Sequence, residues 1–146
     1  MAIRVIRLGS PRLPNEGLRL GTVRRPPRGV RKESYASEDY FDLWLPDLAP
    51  SAPLVASAMS EPLTEKRWAK FARSYRQEMK RPEARRLIAL LAALSSASDF
   101  SVGCYCEDES RCHRSLLRDI LVEAGALVVA TQPPNGGNKI ESRGST

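Results

Sequence analysis

All three cysteines of this chain and its only histidine stand within ten residues, inside the stretch CYCEDESRCHRSLL that runs from Cys104 to Leu117. Residues of these types so close together admit three kinds of chemistry. The first is metal binding. Cys104, Cys106, Cys112 and His113 would supply three sulfurs and one nitrogen, a legitimate structural zinc set. The spacing speaks against it, because such sites usually place their ligands in two separate knuckles. Here Cys104 and Cys106 alternate along a strand, and Cys112 and His113 are neighbours on a helix, where adjacent side chains diverge by ~100°. No metal ligand and no cofactor is assigned from the sequence, and a zinc-stabilised interaction protein stays as a minor alternative.

The second chemistry is nucleophilic. A thiol in the first turn of a helix feels unpaired N–H groups and the positive dipole end, which favour thiolate. Arg111 and Arg114 would strengthen that effect, and Glu107, Asp108 and Glu109 would oppose it unless Asp108 or Ser110 is used as the N-cap. The same helix end keeps His113 neutral and able to act as a base. Cys112, His113 and Cys106 are therefore the candidate catalytic residues. The spacing does not match the phosphatase loop of one Cys, five residues and an Arg: Cys106 and Arg111 have four residues between them, Cys104 and Arg111 six. The third chemistry is anion binding by a helix N-terminus with Arg114, Arg111 and His113, which asks nothing of the thiols. Against all three stands a plain packing role, with Cys104 and Cys106 as small core side chains.

The elements that must position these residues follow from periodicity. IRVIRL (3–8) and LRLGTV (18–23) read as strands, separated by a turn-rich loop. RRPPRGVRKESY (24–35) is held irregular by two prolines. The acidic, aromatic run 38–51 reads as a short helix or turn anchored by Phe41, Trp44, Leu45 and Leu48. Residues 65–81 read as a helix capped by Thr64, with Trp68, Phe71, Ala72, Tyr75 and Met79 on one face and Lys66, Lys70, Arg73 and Lys80 opposite. Residues 83–95 form a further helix on Leu87, Leu90, Leu91 and Leu94. Then come a strand (99–106), a helix (111–125) closed by Gly125, and a last strand (126–130). This strand–helix–strand run implies parallel strands. Cys106 ends the strand and Cys112, His113 and Arg114 open the helix, at the junction where open α/β sheets hold ligands. The expected fold is α/β: one domain over residues 1–130 with a small, mostly parallel sheet and flanking helices. The polar, Pro/Gly-rich stretch 131–146 reads as a disordered tail.

Composition sets the outer limits. The 146 residues carry a net charge of +6, 42% hydrophobic and 27% charged residues, ordinary for a globular chain. The charge is blocked: residues 1–32 hold nine bases against Glu16, residues 33–63 hold six acids and no base, and residues 64–90 hold nine bases against three acids. Blocks of this kind are mostly solvated faces that neutralise one another, but they leave nucleic acid as a second possible partner, bound through the N-terminal arginines and the 65–81 helix. No apolar run approaches the ~20 residues of a membrane span, and MAIRVIRLG alternates like a strand and lacks the features of a signal peptide. The expected compartment is the cytoplasm, where the cysteines are reduced thiols. Oligomeric state is not legible.

Four ordered motifs also carry a resemblance. GLRLGTVRRPPRGVRKE (17–33), WLPDLAPS (44–51), WAKFARSYRQEM (68–79) and CYCEDESRCHRSLL together resemble the bacterial domain-of-unknown-function family 488, in its YeaO-like branch. Pro26 stands where the family pattern has Trp, and Val23 where it tends to have Asp. The resemblance implies an α/β fold and a site, without an established reaction. By position it implies that Arg24, Pro27, Arg28 and Gly29 form one loop of that site and that Cys106, Cys112, His113 and Arg114 form another. If the strands preceding both are parallel neighbours, Arg24, Arg28, His113 and Arg114 line one cleft, with Cys106 or Cys112 at its floor, for a phosphorylated or carboxylated small molecule such as a nucleotide.

Overall fold

The computed structural model describes residues 1–106 and 112–129. Arg111, the acidic loop before it and the predicted tail lie outside them.

Four strands, β1 (Ile3–Arg7), β2 (Leu18–Gly21), β3 (Leu43–Trp44) and β4 (Phe100–Cys104), form one sheet in the order β1-β4-β2-β3. Every pairing is parallel. Helices α1 (Ala52–Met59), α2 (Glu65–Glu78), α3 (Pro82–Leu94) and α4 (His113–Glu123) flank it. This is the α/β class that the strand–helix–strand pattern predicts. β4 lies between β1 and β2 and is buried along its whole length, as inner strands of parallel sheets are. Phe100 and Val102 enter the main core with Phe71, Tyr75, Ile88, Leu117 and Leu121. The alternate residues meet other constraints. Ser101 donates its hydroxyl to Glu16 at 2.9 Å. Gly103 runs so close to β1 that a Cβ there would meet the Ile6 carbonyl oxygen at 2.5 Å.

The helices obey local signals. The Thr64 hydroxyl accepts from the Arg67 N–H at 3.2 Å and starts α2, which buries Phe71 and Tyr75 and leaves Lys66, Lys70, Arg73 and Lys80 exposed. Pro82 opens α3, where its fixed φ suits the first helical position. The buried stripe of α3 is Ala84, Ile88, Leu91 and Ala92, one step round from the leucine stripe expected, so Leu90 and Leu94 are exposed. Gly125, at φ 96°, ends α4 in the left-handed conformation that a C-terminal cap requires.

Other boundaries differ from expectation. The run 38–51 holds the expected turn, as a 3-10 turn at Pro46–Leu48, and also the unexpected short edge strand β3. Among the described residues the last strand is a single parallel bridge between Val128 and Ile3. α4 begins at His113, with Cys112 as its N-cap and no cap bond from the Cys112 side chain; Asp108 and Ser110, the caps expected from sequence, lie outside the described residues. Cys112 is drawn inward instead, into a small apolar cluster with Leu8, Val23, Phe41 and Cys104. No described helix is long and apolar enough to cross a membrane.

Candidate functional site

The small cluster around Cys112 marks the C-terminal edge of the sheet. The chain leaving β1 is pinned there by Leu8 N–H on the Cys104 carbonyl (2.8 Å), and the chain leaving β2 by Thr22 N–H on the Gly103 carbonyl (3.1 Å). The Thr22 hydroxyl adds a second bond to Gly103, at 2.9 Å. Three segments therefore arrive at one place: Leu8 after β1, Thr22 to Arg28 after β2, and Tyr105 and Cys106 after β4.

The three sulfurs meet here. The Sγ atoms of Cys104, Cys106 and Cys112 all lie within 4.8 Å of one another. Cys104 and Cys112 are 2% exposed and joined sulfur to sulfur, with their Cα atoms 7.9 Å apart. The sequence-based expectation of three independent reduced thiols thus meets a buried pair with Cys106 exposed beside it. A packing role for Cys104 holds; Cys106 is not a core residue.

His113 is buried against the Tyr75 ring, with centroids 5.6 Å apart. Its Nε2 lies 2.7 Å from the Thr22 carbonyl oxygen. A carbonyl can only accept, so Nε2 carries the proton and Nδ1 keeps a lone pair, 3.9 Å from the Cys112 sulfur. Burial pushes the imidazole down to about 4, against the Thr22 bond, and nearby Arg114 adds to the lowering. His113 is neutral as expected, but burial, more than the helix end, makes it so.

Arg114 is committed to backbone. Its Nη1 donates to the Cys106 carbonyl at 2.7 Å and to the Cys104 carbonyl at 3.4 Å, and reaches the Cys104 sulfur at 3.7 Å. The guanidinium clamps the end of β4 and sets a positive charge beside the thiols. Arg24 is equally engaged. Its Nε donates to the Pro50 carbonyl at 2.9 Å and its Nη2 to those of Pro46 and Ala49. It ties the loop after β2 to the start of α1.

Between these tied segments opens a cavity of about 600 Å³. The loop Arg24–Arg28 forms one wall, α1 presents Val55, Ala56 and Met59 on another, and the rings of Tyr40 and Tyr105 lie between. The two tyrosines meet edge to face, 6.2 Å between centroids, and the Tyr105 hydroxyl donates to the Arg25 carbonyl at 2.9 Å. Burial and the neighbouring phenols of Tyr35 and Tyr40 hold the Tyr105 pKa well above its ordinary value, so it remains a hydroxyl. Arg25 and Arg28 are exposed at the rim, and among the described residues their guanidinium groups have no hydrogen-bond or ion-pair partner.

The site residues named from sequence thus separate into two neighbouring groups. Arg24 and Arg28 line the cavity; Cys106, Cys112, His113 and Arg114 form the thiol cluster beside it, and His113 and Arg114 do not line the cavity. Arg111 lies outside the described residues. Tyr105 joins the two groups, since its ring lines the cavity while Cys104 and Cys106 on either side of it carry two of the three clustered sulfurs. Tyr40, Tyr105 and the α1 face carry no sequence signal as site residues beyond the alternation that sets Tyr105 opposite Cys104 and Cys106.

A small, wholly parallel α/β protein with a thiol cluster and an arginine loop on the C-terminal edge of its sheet is the class that these observations define. A family model described as "Active DUF488-N3 subclade" matches residues 3–125, and the chain belongs to the DUF488 family. That description names the N3 subclade and says nothing of a YeaO-like branch. No curated protein and no solved structure matches the chain.

Proposed function

We propose that this chain is a cytoplasmic protein that binds an anionic small molecule of nucleotide size in the cavity between the Arg24–Arg28 loop and α1. The observation that carries the reading is the pair of guanidinium groups, Arg25 and Arg28, which have no partner among the described residues, at the mouth of a cavity lined by two tyrosine rings. Guanidinium forks recognise phosphate and carboxylate bidentately, and ring faces and apolar side chains accept a flat base. About 600 Å³ falls within the usual range for small-ligand sites. The site also lies beyond the carboxyl ends of parallel strands, where such ligands are held. The description of the subclade as active favours chemistry on the ligand over binding alone. Cys106 is the exposed thiol that could act on it, with Cys112 and His113 behind.

The test is calorimetric titration of nucleoside mono-, di- and triphosphates into wild type, Arg28→Ala and Arg85→Ala. A charge-assisted hydrogen bond contributes about 1.5–3 kcal/mol, so Arg28→Ala should weaken binding roughly 10- to 100-fold, and Arg85→Ala, away from the cavity, should not. Absence of any titrating nucleotide, or equal affinity in wild type and Arg28→Ala, rejects the reading.

A further inference from the structure

Nothing in the anion-binding reading uses the three sulfurs as a set. Among the described residues they form the one group of His, Cys, Asp or Glu side chains close enough to hold a metal ion. Zinc–sulfur bonds of ~2.3 Å in a tetrahedral site place the sulfurs ~3.8 Å apart. The three Sγ atoms lie within 4.8 Å of one another, and reduction of the Cys104–Cys112 bond frees that pair to open to this spacing. The Cα atoms of Cys104 and Cys112 are 7.9 Å apart, whereas a disulfide spans about 4.4–6.8 Å. The backbone separation therefore suits ligands on two sides of an ion better than a covalent bridge.

The surroundings suit a cation as well. Three thiolates and one divalent ion leave a single negative charge, and the Arg114 guanidinium, 3.7 Å from the Cys104 sulfur, offsets it. The spacing that argues against a zinc knuckle does not bear on this geometry. The strand end and the helix cap bring Cys104, Cys106 and Cys112 together across the sheet edge, with no knuckle involved.

We infer that the reduced protein binds one soft d10 cation, zinc(II) or copper(I), through the sulfurs of Cys104, Cys106 and Cys112. Each thiol that binds gives up its proton to solvent, so uptake of one ion releases up to three protons. Cation binding and a Cys104–Cys112 disulfide exclude each other, and the site belongs to the reduced chain.

The experiment uses full-length protein kept reduced with a phosphine and stripped of metal, then titrated with zinc(II), cobalt(II) or copper(I). Metal content is measured after desalting, and cobalt-to-sulfur charge-transfer absorption is followed directly. Wild type should retain about one zinc or copper ion per chain, and cobalt should give the intense near-ultraviolet band of thiolate ligation. Whichever of zinc and copper is retained identifies the ion. Cys106→Ser is the informative variant, because Cys106 is exposed and its loss spares the core. It should keep the wild-type circular dichroism and bind at least tenfold more weakly. Failure of reduced, folded wild type to retain any ion overturns the inference. So does undiminished binding by Cys106→Ser, or a count of one titratable thiol in the reduced, metal-free chain.

Discussion

Arg19 and Glu16 are each only 1% exposed, and they hold one another through the Arg19 Nε and Nη2 groups. Arg19 Nη1 also donates to the Ser10 and Asp39 carbonyls, and Ser101 on β4 donates to Glu16. This buried pair fastens the loop after β1 beneath the central strand. Removing one partner of such a pair leaves an uncompensated charge, which costs about 3–5 kcal/mol. Arg19→Met should therefore lower the urea midpoint sharply at unchanged m-value. The pair also gives a pH dependence. Burial pushes the Glu16 carboxyl up, but the bonds from Arg19, Leu13 and Ser101 outweigh it and hold the carboxyl below its ordinary 4.5. A carboxyl lowered in the folded state adds stability that is complete above the ordinary value and lost as pH falls below it. Asp42, lowered beside Arg12, acts in the same direction. Denaturation of wild type and Glu16→Gln from pH 7 to pH 3 should show a shallower acid loss in the variant; parallel curves would contradict this assignment.

At the scale of elements, α1 deserves most weight, since it forms one wall of the cavity. Its N-cap is Ser51, whose hydroxyl accepts from the Leu54 N–H. Glu78 at the end of α2 accepts from both the Ser51 N–H (2.8 Å) and its hydroxyl (2.5 Å). α1 buries none of its own residues fully, so these bonds, Arg24, the Arg67 bond to the Ser57 carbonyl and the packing of Leu54 and Ala58 on the core fix its position. Ser51→Ala should cost about 1–2 kcal/mol by loss of the cap, read as a fall in thermal midpoint, and should also weaken any nucleotide that binds wild type. α1 is not legible in the sequence because it lacks a buried stripe and so has no hydrophobic period to read. α2 is legible down to its Thr64 cap, because Phe71, Tyr75 and Met79 all face one core. β4 is legible as a strand. Its place between β1 and β2 is not, because strand order depends on contacts between distant segments. The same division holds at the site. Cys106, Cys112, His113 and Arg114 stand out by type and spacing. That Arg24 would be spent on the carbonyls of Pro46, Ala49 and Pro50 could not be read, since those acceptors are backbone atoms without a sequence signature.

For the whole molecule, the question is what the net charge of +6 is for. A nucleic-acid module would need its N-terminal arginines free to meet phosphates. Several are already engaged. Arg19 is buried on Glu16, Arg24 is bonded to three carbonyls, and Arg12 pairs with Asp42 at 2.9 Å and Asp39 at 3.5 Å. The acidic block 33–63 thus neutralises part of the basic block before it, within the fold. The exposed cations include Lys66, Lys70 and Arg73 on α2, the rim pair Arg25 and Arg28, and Arg31, Lys32, Lys80, Arg85 and Arg86. On α2, Tyr75 is buried and the half-buried Trp68 is stacked on Phe71 at 5.4 Å, so this helix presents no platform for single-stranded bases. Duplex DNA should then bind no more tightly than nonspecific contacts allow, with a Kd of about 10⁻⁶–10⁻⁴ M near physiological salt. Fluorescence anisotropy with a labelled duplex across 50–200 mM salt measures this. Substituting Lys66, Lys70 and Arg73 by Ala together should weaken what affinity there is, lower the salt slope and leave nucleotide titrations unchanged. Submicromolar binding at physiological salt with a steep salt slope would instead make the α2 face the working surface of the protein and the cavity secondary to it.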